Sequence, residues 1–115
     1  MKKRLLFVDP DEMIRKMLVR IFQSEDGYEL ETSEGGEDAL CCVRNRHYNL
    51  VTMNSVPGMA PEKFVAEVRK ALPATKIVIY TGGASFDLTK VGADLIVVKC
   101  GDQRLPEAVS RILAT

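Results

Sequence analysis

Short apolar runs alternate with amphipathic stretches along the whole chain. Arg4 to Asp9 encloses Leu5-Leu6-Phe7-Val8, a continuous apolar run suited to a strand covered on both faces. Met13, Ile14, Met17, Leu18, Ile21 and Phe22 then recur at helical spacing and predict a helix with that set as its inner face. Asp9, Pro10 and Glu12 read as its N-cap, N1 and N3, and Gly27 as a left-handed C-cap. Tyr28 to Thr32 alternates, as an edge strand does. Gly35-Gly36 opens a second helix that runs to Arg46, with Ala39, Leu40 and Val43 inward.

Asn49 to Met59 is the stretch around which the rest is arranged. Leu50 to Met53 reads as a central strand that stops at the polar Asn54 and turns at Pro57-Gly58. Pro61 opens a third helix with Phe64, Val65, Val68 and Leu72 inward, and Pro73 ends it. Lys76 to Thr81 is a β-branched strand closed by Gly82-Gly83. A short, weakly periodic helix follows at Ser85 to Val91, then a fifth strand at Asp94 to Lys99. The last helix spans Gln103 to Leu113, with Leu105, Val109, Ile112 and Leu113 facing in.

Strands alternating with helices over short connections predict an α/β domain covering 1–115. The expected form is a doubly wound five-stranded parallel sheet of flavodoxin-like order 2-1-3-4-5, in three α/β/α layers. In that order the switch point lies between the first and third strands. It would gather Asp9, Asn54, Thr81 and Lys99 at one crevice.

Composition narrows the classes of function. Lysine plus arginine (16) balance aspartate plus glutamate (16), and no basic cluster stands out, so no nucleic-acid surface is expected. No apolar run approaches membrane-spanning length, and Met1-Lys2-Lys3-Arg4 leads into a strand rather than a signal sequence. A cytoplasmic domain without membrane contact is expected. Cys41, Cys42 and Cys100 have neither disulfide-framework nor zinc spacing and read as small buried apolar residues, with a redox thiol as the alternative. His47, the one histidine, follows a helix end and suits that terminus better than phosphate transfer. With no nucleophile–base pair, an enzyme is not expected.

The ordered pieces Leu5 to Asp9 with Ile14-Arg15, Gly36-Glu37-Asp38-Ala39-Leu40, Tyr48-Asn49-Leu50-Val51, Pro57-Gly58-Met59, Val78-Ile79-Tyr80-Thr81, Gly92-Ala93-Asp94 and Val98-Lys99 make the chain resemble the receiver domain of two-component response regulators. The resemblance implies phosphoryl transfer from a histidine kinase to an aspartate at the end of strand 3. It further implies Mg²⁺ held by an acidic pair after strand 1, with Thr81 and Lys99 contacting the phosphoryl oxygens. The expected partners are a histidine kinase, an output domain or another regulator.

The chain departs from that pattern where the chemistry is densest. The phosphoacceptor position falls on Asn54, or on Met53 in the alternative alignment, and neither side chain is a nucleophile. Asp9 matches the first acid, the second is Pro10, and Asp11 is next in line. Asp9 also reads equally as a plain helix cap. Between Thr81 and Gly92 the chain is about one helical turn short. Ile96 stands where many members have a switching aromatic, and Cys100 where a proline follows the lysine.

These departures lead to the expectation of a degenerate, pseudo-receiver domain, without a cofactor and with Mg²⁺ binding at millimolar strength or weaker. It would act by protein contact, or homodimerise, through the face of helix 85–91, strand 94–99 and helix 103–113. The competing readings are a receiver phosphorylated on a neighbour such as Ser55, or an anion- or nucleotide-binding module built on Thr81, Gly82-Gly83 and Lys99. No phosphate-binding glycine motif supports a nucleotide.

Overall fold

The computed structural model describes residues 2–54, 59–81, 91–98 and 105–114. The elements are β1 (Lys3–Val8), α1 (Glu12–Gln23), β2 (Tyr28–Ser33), α2 (Gly36–Asn45), β3 (Leu50–Met53), α3 (Pro61–Ala71), β4 (Lys76–Thr81), β5 (Leu95–Val98) and α4 (Leu105–Leu113). The strands form one sheet in the order β2-β1-β3-β4-β5, and every neighbouring pair is parallel. This is the expected flavodoxin-like arrangement, with four helices among the described residues. The helix expected at Ser85 to Val91 falls on 82–90, outside the described residues, and Val91 itself sits in a turn.

Strand alternation divides the core into two layers. Leu5, Phe7, Leu50, Val78 and Val97 pack with Leu18 and Phe22 of α1 and Leu105, Ala108 and Val109 of α4. Leu6, Val8, Val51, Met53, Ile77 and Ile79 pack with Ala39, Leu40 and Val43 of α2 and Phe64, Val65 and Val68 of α3. Coverage on both faces explains why every position of β3 is buried while β2, with only Ser33 buried, is a mixed edge. Ring contacts fasten α1 to the sheet: Phe7 and Phe22 lie 5.2 Å apart with tilted planes, and Phe22 meets Tyr28 edge to face at 5.7 Å. Among the described residues no helix is long and apolar enough to cross a membrane.

Two side chains set the register at strand starts. Asn49 Oδ1 accepts the Arg4 N–H at 2.9 Å, its N–H donates to the Arg4 carbonyl at 2.8 Å, and its carbonyl accepts the Lys76 N–H at 3.1 Å. One residue thereby aligns β1, β3 and β4. Asp94 does the same for the far edge, accepting the Ile77 N–H at 2.7 Å and Arg69 at 3.0 Å.

Four expectations need correction. Helix α1 begins at Glu12 with Asp11 as N-cap, so Asp9 is not the cap. Met13 and Met17 do not face in: they are 72% and 37% exposed. At about 100° per residue, Met13 lies about 140° around the helix from Leu18, outside a stripe centred on Leu18 and Phe22. The C-cap of α1 is Ser24, and Gly27, at φ +95°, instead turns the chain into β2. Cys41 is exposed and Cys42 half-buried, because Ala39, Leu40 and Val43 fill the inner face of α2; Cys100 lies outside the described residues.

Tyr48 is fully buried and its hydroxyl donates to Glu31 Oε1 at 2.8 Å, beside Arg46 at 3.0 Å from the same oxygen. Burial, then the bond to the Glu31 carboxylate, push its pKa well above the ordinary 10.0. The folded state therefore holds the phenol proton more tightly than the unfolded chain. That stabilisation is complete below about pH 10 and is lost as pH rises from there toward the raised folded value. Tyr48→Phe is expected to cost about 1 kcal/mol at neutral pH and to flatten the alkaline fall in stability measured by urea denaturation. Tyr28, also raised chiefly by burial, leaves a residual slope. Parallel alkaline profiles for the two proteins would contradict this.

Candidate functional site at the strand ends

The parallel register brings the ends of β1 and β3 together. Val8 pairs with Met53, so Asp9 and Asn54 are the next positions on adjacent strands. Asp9 continues the alternation of Leu5 and Phe7, and Asn54 that of Leu50 and Thr52, so both belong to the α1/α4 side of the sheet. Asp9 is buried and Asn54 half-buried. Met53, the alternative acceptor position, is 1% exposed and packed in the α2/α3 core. The strand end therefore presents Asn54.

Asp9 is held on all sides. Its N–H donates to the Ser33 carbonyl at 3.1 Å, which extends the β1–β2 ladder past the last assigned pair. Its Oδ1 accepts the Asp11 N–H at 2.9 Å, and its carbonyl accepts Arg15 Nη1 at 2.7 Å. Pro10 has no N–H, so the Asp11 amide is the next donor after Asp9 along the chain. The Asp9–Asp11 bond has the pattern of a cap, but Asp11 is extended at φ −88° and ψ 115°, and the helix begins only after it. The Asp11 Oδ1 in turn accepts the Met13 N–H at 2.9 Å. One carboxylate closes the turn, and the other caps α1 from an exposed position.

Thr81 is buried at the end of β4. It follows the alternation of Ile77 and Ile79, which belong to the α2/α3 side, so it approaches the strand ends from the layer opposite Asp9 and Asn54. Lys99, Ser55, Pro57-Gly58 and Gly82-Gly83 lie outside the described residues. Ile96 pairs with Ile79 and packs against the α2/α3 core. His47 is exposed at the opposite pole, where it lines a cleft with Lys2, Lys3 and Arg4.

Sequence reasoning missed two residues that shape this end of the sheet. Arg15 fixes the Asp9 carbonyl from the first turns of α1. Ser33, buried at the end of β2, donates to Asp38 Oδ2 at 2.7 Å and so ties the start of α2 beside Asp9. The polar Ser33 at the end of a strand was the available signal.

A family model described as response regulator receiver domain matches residues 5–110. Among solved structures, the chain is similar to a CheY-like response regulator receiver domain protein from Methanospirillum hungatei JF-1, at 28% identity over 99% of this chain and 95% of that one, with a TM-score of 0.87. It is 33% identical to the response regulator protein TrrA from Thermotoga maritima, solved in complex with Mg²⁺-BeF, over 96% of this chain and 98% of that one (TM-score 0.82). The chemotaxis protein CheY4 of Vibrio cholerae matches at 27% identity over 99% and 98%, with a TM-score of 0.79. No curated protein matches the chain.

The division of labour between the two acids is testable. Asp11→Ala is expected to lower stability by about 1 kcal/mol in chemical denaturation, whereas Asp11→Asn, an equally good cap, retains it. An Asp11→Asn loss as large as that of Asp11→Ala would show that the charge, and not the cap, is what matters there.

Proposed function

The chain belongs to the response regulator receiver domain family, and from that premise we propose that it is a degenerate receiver, one that signals by protein contact without phosphorylation on aspartate. The observation that carries the reading is Asn54 at the end of β3, beside Asp9. Receiver domains take part in two-component signalling with histidine kinases and output domains. Attack on phosphorus needs an electron-rich oxygen, and the lone pairs of a primary amide are delocalised and carry no charge.

The metal requirement supports the same reading. A hard dication selects several oxygen ligands with negative charge. Here Asp9 supplies one carboxylate, with one oxygen already committed to the Asp11 amide. Pro10 supplies no side-chain oxygen, and the Asp11 carboxylate caps α1. Arg15 adds a fixed positive charge against the Asp9 carbonyl, which repels a second cation. The donor set therefore does not fit a tightly held Mg²⁺, and no chemical step is assigned to one. The Thermotoga relative, by contrast, was solved with Mg²⁺-BeF.

Signalling contact through β5 and α4 is part of the proposal, as is a cytoplasmic setting. Transfer to Ser55, or anion binding near Thr81 and Lys99, remains the competing chemistry. A single experiment separates them. Intact-mass measurement after incubation with acetyl phosphate and Mg²⁺ is expected to show no phosphate adduct on the wild-type protein, while Pro10→Asp/Asn54→Asp is expected to gain one. An adduct on the wild-type protein would overturn the proposal, and its position would identify the acceptor.

A further inference from the structure

We infer that the cleft where the strands begin, at the pole opposite Asp9 and Asn54, binds a small phosphorylated anion. The cleft has a volume of about 390 Å³ and is lined by Lys2, Lys3, Arg4, Glu29, His47 and Asn49. Three consecutive cationic residues at the start of β1 thus share it with the connection from α2 to β3. Neither that basic run nor the single histidine takes part in the chemistry at the strand ends.

Charge at this pole is not balanced within the fold. Arg4 pairs with Glu29 at 3.3 Å and reaches Glu31 at 3.6 Å. Glu31 also receives Arg46 at 3.0 Å and the Tyr48 hydroxyl at 2.8 Å. Both acids of β2 are thereby committed. Among the described residues no ion pair reaches Lys2 or Lys3, and both are exposed, as is His47. Asn49 adds a donor held in place: its Oδ1 accepts the Arg4 N–H at 2.9 Å, so the half of the amide left over is Nδ2. Two ammonium groups, an imidazole and an amide N–H group suit an acceptor with more than one negative charge. Lysine binds phosphate as a point charge, and no bidentate fork is needed.

The lining also limits what the ligand can be. Among the described residues it holds no Phe, Tyr or Trp ring on which a base could stack, and no apolar side chain to enter a bilayer. The phosphate groups are what the cleft reads, not an attached base or acyl chain. This site goes beyond the proposed contact function and does not depend on Asn54 being inert.

The test is an NMR titration of the ¹⁵N-labelled protein with inorganic pyrophosphate, at fixed pH and ionic strength and without divalent cations. Amides of residues 2–4, Glu29, His47 and Asn49 are expected to shift and saturate, while those of Asp9, Asn54 and Thr81 stay in place. Exposed ion pairs are individually weak, so a dissociation constant of about 1 mM or somewhat below is expected. Raising the salt concentration is expected to weaken binding. Lys2→Ala/Lys3→Ala is expected to weaken it about tenfold, and His47→Ala about threefold. Lys63→Ala/Lys70→Ala, which removes two exposed cations of α3, is expected to leave it unchanged. All five positions are exposed, and circular dichroism checks that the variants fold.

Shifts that never saturate, or that centre on the strand ends, would overturn the inference. So would an equal response to chloride at matched ionic strength, or an equal loss in the α3 variant. Tighter binding to a single-stranded oligonucleotide or to phosphatidylglycerol vesicles than to pyrophosphate would overturn it as well, by making the pole a macromolecular surface.

Discussion

The parallel pairing of β1 with β3 governs everything else in this domain. It places Val8 opposite Met53, and by doing so it puts Asp9 and Asn54 side by side where the two strands stop. The pairing is held from below by Asn49, whose side chain and backbone lock the starts of β1, β3 and β4 into one register. A slip of one residue would put the polar Asn54 into the buried place of Met53 in the α2/α3 layer. The apolar layers on both sheet faces make that slip costly, so the identity of the strand-end side chain is a structural decision as much as a chemical one.

Among the described residues, Asp9 is the one buried carboxylate at that end, and it spends an oxygen on the turn over Pro10, while Asp11 spends its own on the first turn of α1. Pro10 has no N–H, so the Asp11 amide is the next donor open to Asp9. The local chain has become a well-capped loop-to-helix junction.

The sheet was legible in the sequence because Leu5 to Val8 is an uninterrupted apolar run, Leu50 to Met53 is broken only by Thr52, and β4 is bounded on both sides by turn residues. The strand-end residues were legible for the same reason: once the order is fixed, Asp9, Asn54 and Thr81 follow from where each run stops. Local signals were less decisive. Asp9-Pro10-Asp11-Glu12 contains two overlapping caps, and only the extended backbone at Asp11 chooses between them. Apolar periodicity marked Met13 and Met17 as inner residues because it counts positions without measuring the width of the buried stripe. The bonds from Arg15 to Asp9 and Tyr48 to Glu31 join different elements, and nothing in local pattern announces them.

The central claim concerns charge at one strand end, and a Mg²⁺ titration of the wild-type protein followed through the Asp9, Asn54 and Thr81 amides by NMR addresses it most directly. Saturation only at millimolar Mg²⁺ or above is expected from a single, partly committed carboxylate beside an uncharged amide. A dissociation constant in the low micromolar range, with shifts centred on those three residues, would contradict it.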